Sequence, residues 1–230
     1  MYDAPPGNDQ PASHYEYVIE TDHQKAQQIK QKAFEYMDQL TGWCSYDKAA
    51  VLIDLILKHK PEKILEIGVW GGKSLVPMAY ALKESKKGKI YGIDPWDAKE
   101  SIKWSMNDDN INCWRNLDHF AILYDLITKI EQFQLVDQIE LIISTSEDAA
   151  PIHDIDILHI DGNHSDPTSY LDATKWVPYV KSGGWIIFDD MTWYENGTFT
   201  TARAVGWLNE HCIKIAEFND NCVWGIWVKP

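Results

Sequence analysis

Four short segments carry side chains that could do chemistry. Lys63 to Ser74 is an apolar run that passes Glu66, stops at Gly68, turns through Gly71 and Gly72, and opens a helix near Ser74. A strand delivered into a glycine turn exposes bare backbone to a ligand, and the N–H groups of the following helix point at it. A second apolar run, Ile90 to Gly92, ends on Asp94. Carboxylates at neighbouring strand ends suit ribose hydroxyls or a cation, and they repel phosphate. The third segment is His159-Ile160-Asp161-Gly162-Asn163-His164, and the fourth is Ile187-Phe188-Asp189-Asp190. Three aspartates brought together cannot all stay ionised cheaply, so either some take up protons or a divalent cation neutralises them. Hard oxygen ligands favour Mg²⁺, Mn²⁺ or Ca²⁺ over zinc. Such a cation on a hydroxyl lowers its pKa, and a histidine, with an ordinary pKa of about 6.5, can take the proton near neutrality.

The glycine turn discriminates among three ligand classes. A dinucleotide turn needs G-x-G-x-x-G, whereas position 70 is Trp. A phosphate loop needs G-x-x-x-x-G-K-[ST]; Gly72-Lys73-Ser74 supplies the tail, but position 67 is Ile and Gly68 comes one residue too late. A shortened loop wraps fewer N–H groups around phosphates, and Glu66 opposes the anion. S-adenosylmethionine has a cationic sulfonium and ammonium, two ribose hydroxyls and no phosphate. Glu66, Gly68, Trp70, Gly71, Gly72, Ser74 and Asp94 match that charge distribution, so this cofactor is expected.

These residues need elements to position them. Residues 23–40 carry apolar side chains at helical spacing (Ala26, Ile29, Ala33, Met37), and Ser45 can cap a second helix with the face Ala49, Leu52, Ile53, Ile56, ending before Pro61. From there strands (64–69, 90–93, 139–143, 155–160, 185–188) alternate with helices (74–82, 117–130, 170–180), the pattern of a parallel sheet covered on both faces. A helix over 200–209 precedes two runs, 213–218 and 222–228, joined by Asn219-Asp220-Asn221 as an antiparallel hairpin. In such a sheet ligands bind outside the carboxyl ends of the strands, where all four segments end. The expected division is a flexible lead-in at 1–22, N-terminal helices at 23–62 covering the site, and a cofactor-binding domain at 63–230 with a lid at 96–116.

Leu65-Glu66-Ile67-Gly68-Val69-Trp70-Gly71-Gly72 with Ile90-Tyr91-Gly92-Ile93-Asp94 resembles the class I S-adenosylmethionine-dependent methyltransferases, from about Lys63 to the C-terminus. The resemblance implies an α/β fold: a Rossmann-like, doubly wound, seven-stranded, mostly parallel sheet with a C-terminal antiparallel hairpin strand. It implies that Asp94 holds the ribose hydroxyls, that the Gly68–Gly72 turn faces the methionine part, and that Ser146 and Glu147 lie near the adenine. Asp161-Gly162-Asn163-His164-Ser165, with Asp172 and the Gly183-Gly184 strand ending in Asp189-Asp190, resembles more narrowly the metal-dependent small-molecule O-methyltransferases. These include the catechol type, the types that methylate sugars on natural products, and the nearby cephalosporin-hydroxylase group. By position, Asp161, Asp189 and Asp190 would be ligands of Mg²⁺ or another hard divalent cation. The catechol type places a lysine where this chain has His164. Sugar-methylating relatives place an aspartate where it has Asn163, and a neutral amide cannot serve as base. His164 is therefore the expected base, with Asp161 beside it in the catalytic set.

Plainer uses stand beside these. Asp189-Asp190 can cap a turn, Ser144 to Asp148 can cap a helix, and His159 within its strand reads as core. Metal-free methyl transfer through His164, or cofactor binding without catalysis, uses the same residues.

Composition narrows the partners. The 230 residues carry a net charge of −14, which repels nucleic acid and anionic membranes, leaving a small hydroxylated acceptor as the expected partner. No apolar run approaches the roughly 20 residues that span a bilayer. The polar, Pro-rich start has no secretory signal, and a cytoplasmic location is expected. The four cysteines (Cys44, Cys113, Cys212, Cys222) have no C-x-x-C spacing and read as structural thiols. Trp43, Trp96, Trp104, Trp114, Trp193 and Tyr194 fall in the segments expected to line the acceptor pocket. No long heptad or bare apolar helix face announces an interface, which leaves a homodimer open.

Overall fold

Residues 23–105 and 107–230 are described by a computed structural model. The expected lead-in at 1–22 lies outside them. Two helices come first, α1 (His23–Met37) and α2 (Tyr46–His59). Ser45 caps α2 by accepting a hydrogen bond from the Lys48 amide (3.0 Å), and Lys60, in the left-handed conformation before Pro61, ends it. The apolar face Ala49, Leu52, Ile53, Ile56 is buried, but Lys48 and Asp54 on the same helix are buried too. Asp54 receives Lys30 Nζ from α1 at 2.6 Å, which ties the two helices together.

The alternating part follows as β1 (Lys63–Ile67), α3 (Leu75–Ser85), β2 (Lys89–Asp94), α4 (Ala98–Ser101), α5 (Asp108–Arg115) and α6 (His119–Gln132). It continues as β3 (Ile139–Ile143), β4 (Ile155–Ile160), α7 (Asp166–Trp176), a 3₁₀ turn (Val177–Tyr179) and β5 (Val180–Phe188). A two-stranded ribbon, β6 (Tyr194–Glu195) and β7 (Thr198–Phe199), leads to α8 (Ala202–His211), β8 (Ile213–Asn219) and β9 (Val223–Val228). The seven-stranded sheet has the order β3-β2-β1-β4-β5-β9-β8. Its first five strands are parallel, and β9 runs antiparallel to both β5 and β8. This is the expected Rossmann-like arrangement.

Strand alternation builds a core on each face. Ile64, Ile90, Ile157 and Ile187 pack toward α1, α2, α3 and α6, while Leu65, Leu158, Ile186 and Phe188 pack toward α7 and α8. Some boundaries differ from expectation. The seventh helix begins at Asp166, earlier than residue 170, because Pro167 suits the first helical turn. The fifth strand begins at Val180: Val180 to Trp185 spans the stretch that Ile155 to Ile157 covers on β4, and Gly183-Gly184 lie in that bulge. Residues 144–148 form one turn closed by Thr145 and Asp148 (2.8 and 3.0 Å), without becoming a helix. Asn196-Gly197, with φ of 44° and 88°, closes the small ribbon as a tight hairpin. All four cysteines are free thiols. Among the described residues no helix is long and apolar enough to cross a membrane.

Candidate active site

The carboxyl ends of β1, β2, β4 and β5 bring the four segments together. Beyond β1 the chain enters the left-handed region at Gly68 (φ 87°), and a Cβ there would lie 2.0 Å from the Asp161 carbonyl oxygen. At Gly71 a Cβ would lie 2.3 Å from the Thr41 carbonyl oxygen. At both positions the close approach that demands glycine comes from the chain's own backbone. It also places the turn directly against the end of β4, where the Asp161 amide donates to the Ile67 carbonyl (2.8 Å).

Asp94 clasps this turn. Its Oδ2 accepts from the amides of Val69 (3.0 Å) and Trp70 (2.9 Å), and Oδ1 accepts from the Trp96 amide (2.7 Å). An ionised carboxylate has about four acceptor sites, so about one is left open. Burial raises the Asp94 pKa, and the three N–H bonds pull against that rise. Trp70 and Trp96 both have positive φ (50° and 43°), and Trp96 Nε1 donates to the Trp70 carbonyl at 2.9 Å. Strained non-glycine backbone held in this way marks functional sites more often than ordinary turns. The Trp70 ring stands edge-on to Trp114 (4.7 Å between centroids) and His119 (5.2 Å), and the exposed Trp43 extends the wall through Trp114 (5.8 Å). After β3, Ser146 is buried and donates its hydroxyl to Asp172, while exposed Glu147 reaches Lys103 of the 96–116 segment at 3.5 Å.

Glu66 is turned away from the open side of the turn. It is fully buried opposite His159 on β4 and takes Ser74 Oγ (2.5 Å) and His159 Nδ1 (2.9 Å) on one oxygen. Burial raises Glu66 to about 8 and holds His159 well below its ordinary value. A neutral imidazole donates through one nitrogen only. Its other nitrogen can meet a carboxyl oxygen where that carboxyl keeps a proton, as Glu66 does at neutral pH.

The three aspartates fall into an inner and an outer group. On the inner side His159 Nε2 faces Asp189 Oδ2 at 3.4 Å, and Lys48 from α2 forms a tight ion pair with the same oxygen. Lys48 Nζ also lies 3.9 Å from Asp161 Oδ2. Asp189 is buried, and its Oδ1 has no hydrogen-bond partner among the described residues. On the outer side, half-buried, Asp161, His164 and Asp190 bring one ligand atom each within 4.8 Å of one another, and His164 Nε2 lies 3.2 Å from Asp190 Oδ2. Asp190 also has positive φ (49°), and its carbonyl accepts from Thr201 Oγ1 at 2.8 Å. The His164 ring packs on Trp193 at 4.7 Å. Burial raises Asp161 to about 7 against the opposing pull of Lys48 and His164.

Two residues with structural leverage here were not picked out by sequence reasoning. Asn163 donates its amide to the carbonyls of Glu100 (3.2 Å), Ser101 (3.1 Å) and Lys103 (3.0 Å), and accepts from the Ser165 amide (2.9 Å). It fastens the α4 segment to the end of β4, a task that needs a donor and excludes aspartate. Lys48 was hidden by its distance along the chain. Its one visible signal was a lysine on the apolar face of an otherwise buried helix.

The methyltransferase-domain family model matches residues 65–191, from within β1 to just past Asp190. The chain belongs to this family. It is a class I S-adenosylmethionine-dependent methyltransferase by family and fold. Its structure is similar to the methyltransferase PaMTH1 from Podospora anserina, bound to S-adenosylhomocysteine (12% identity, all of both chains, TM-score 0.61). It is similar as well to an O-methyltransferase from Bacillus cereus in complex with S-adenosylhomocysteine (15%, 94% of this chain and 96% of that one, 0.57). A third is the O-methyltransferase TomG from Streptomyces achromogenes, involved in tomaymycin synthesis and in complex with S-adenosylmethionine (15%, 92% and 91%, 0.57). At such identities the likeness concerns the fold. No curated protein matches the sequence.

Proposed function

We propose that this methyltransferase moves a methyl group from S-adenosylmethionine to a hydroxyl of a small molecule of sugar or phenol type, assisted by a hard divalent cation such as Mg²⁺. The observation that carries the reading is the backbone contact between Gly68 and Asp161, which sets the donor turn and the acid cluster side by side. The cofactor supplies an electrophilic methyl group, and a bound cation supplies the charge that acidifies a hydroxyl. On the donor side Asp94 accepts a ribose hydroxyl, the Gly68–Gly72 turn with Trp70 faces the methionine part, and Ser146 with Glu147 borders the adenine. Glu66 and Ser74 act from beneath, fixing the turn through their mutual hydrogen bond.

The donor set fits a dication. Lys48 offsets one of the three aspartates, and the remaining pair, Asp161 and Asp190, matches two positive charges. Their oxygens, with one His164 nitrogen, are acceptable to Mg²⁺ or Mn²⁺. The acceptor would lie between this group and the aromatic wall of Trp193, Trp114 and Trp43, which accepts a flat phenol or the apolar face of a sugar.

The 3.2 Å contact between His164 and Asp190 favours a second reading, in which Asp190 orients His164 as a metal-free general base. Transfer of tritiated methyl groups to a panel of phenols and sugars, with Mg²⁺ and with excess chelator, separates the two. The cation-assisted reading expects at least a tenfold loss in chelator, restored by Mg²⁺; undiminished turnover in chelator selects the His164 base. Absence of transfer to every hydroxyl acceptor, alongside methylation of amines, would remove both.

A further inference from the structure

Lys48 is the one lysine the fold drives into the acid cluster. Its side chain is almost fully buried, like that of its partner Asp189, at 3% exposure each. A lysine is almost never buried this deeply unless paired. Its position is fixed from several directions. The helix that carries it is capped at Ser45, tied to α1 by Lys30 and Asp54, and packed by its apolar face against the core. The Trp224 ring of β9 lies 5.9 Å from Lys48 Nζ. On the far side His159 takes the same Asp189 oxygen, and His159 is itself held by Glu66 and Ser74. Asp189 is thus gripped by a lysine from α2 and a histidine from β4, both on the interior side of the strand end.

A carboxylate so engaged is a poor ligand for a cation arriving from the open side. Bringing an M²⁺ ion to Asp189 places it beside the Lys48 ammonium, and two such charges about 4 Å apart repel strongly at the low effective dielectric of a buried site. Among the described residues Asp190 makes no ion pair with Lys48, and Asp161 bridges the two groups. One Asp161 oxygen stands 3.9 Å from Lys48 Nζ, outside the tight pair that Lys48 makes with Asp189, while the residue also joins His164 and Asp190 on the outer side.

We propose that Lys48 is a positioning residue that claims Asp189 and so confines a divalent cation to Asp161, His164 and Asp190. The N-terminal helices are then part of the site: α2 carries the residue that decides which aspartates remain available. The inference rests on the cation-assisted reading above, and the test separates the two.

Mn²⁺ binding to the full chain is measured by titration calorimetry, with thermal melting in the presence and absence of Mn²⁺ as a check on folding. Lys48→Met frees Asp189 and removes a positive charge, so Mn²⁺ should bind at least tenfold more tightly and raise the melting temperature more than in wild type. His164→Ala should weaken binding at least tenfold. The paired change Lys48→Met with Asp189→Asn leaves no uncompensated buried charge and keeps the test usable if Lys48→Met alone does not fold. It should bind Mn²⁺ within about threefold of wild type. A tenfold or greater loss in the paired variant would place Asp189 among the ligands and overturn the proposal. If wild type binds no Mn²⁺, the cation-assisted reading fails by itself. Lys48 is then judged alone: Mn²⁺ binding acquired by Lys48→Met supports its role in closing the site, and binding by neither protein refutes it.

Discussion

Gly68 is where the glycine turn meets the acid cluster, and the contact is made by main chain. An alanine there would have to hold φ near 87° and place its Cβ 2.0 Å from a carbonyl oxygen. Backbone strain and overpacking each cost about 1–3 kcal/mol, so Gly68→Ala should lose about 2–6 kcal/mol in urea unfolding. A midpoint equal to wild type would mean that the two strand ends are not in contact. Asp172 holds the turn after β3: it is buried, bound by Ser146, and raised by that burial to about 7. The unfolded chain releases this proton near pH 4, and the folded chain keeps it until about pH 7. The folded state therefore holds more protons across that interval, and stability falls as pH rises from about 4 to about 7. About three units at about 1.4 kcal/mol each bound the effect. Asp172→Asn, which has no proton to lose, should flatten the decline and be about 2–4 kcal/mol more stable relative to wild type at pH 8 than at pH 4. A parallel pH profile for the two proteins would show that Asp172 is already ionised in the fold.

The strands and helices of the sheet were legible because each carries a short-range pattern: short, largely apolar runs in β1 and β4, helical spacing in α1 and α2. The segment over 96–116, expected as a lid, contains α4 and α5. Asp97 and Asn107 cap them, but helices of four and eight residues show too few turns for periodicity to register. What holds this segment is Asn163, whose three carbonyl partners appear only once β4 and α4 are brought together. We expect Asn163→Ala to raise amide exchange over 98–105 at least tenfold and to raise the acceptor KM more than it lowers kcat. Unchanged exchange in that segment would assign its fastening to other contacts, such as those of Ser105 and Asn110 with Glu195. The Asn-Gly ribbon shows the reverse case: a strong local hairpin signal at 196–197 flanked by strands of only two residues each.

Across the whole molecule, the sequence located every strand end that matters, since each ends on a glycine or a carboxylate. It did not reveal the pairing of those charges. Separation along the chain explains why: Lys48 and Asp189 are 141 residues apart, Glu66 and His159 are 93, and composition cannot say which acids are shared with a base and which are open. The sheet order, with β4 paired between β1 and β5, sets the ends of those three strands side by side next to α2 and makes those distant pairs neighbours. Donor binding and methyl transfer should accordingly be separable functions of adjacent parts. Comparing Asp161→Asn with wild type, S-adenosylhomocysteine affinity by calorimetry and methyl transfer to the best hydroxyl acceptor in Mg²⁺ test this together. The expected result is cofactor affinity within about threefold of wild type and at least a hundredfold loss of transfer. Full transfer by Asp161→Asn, or loss of cofactor binding with the remaining turnover independent of cation, would contradict the assignment of the acid cluster to acceptor chemistry.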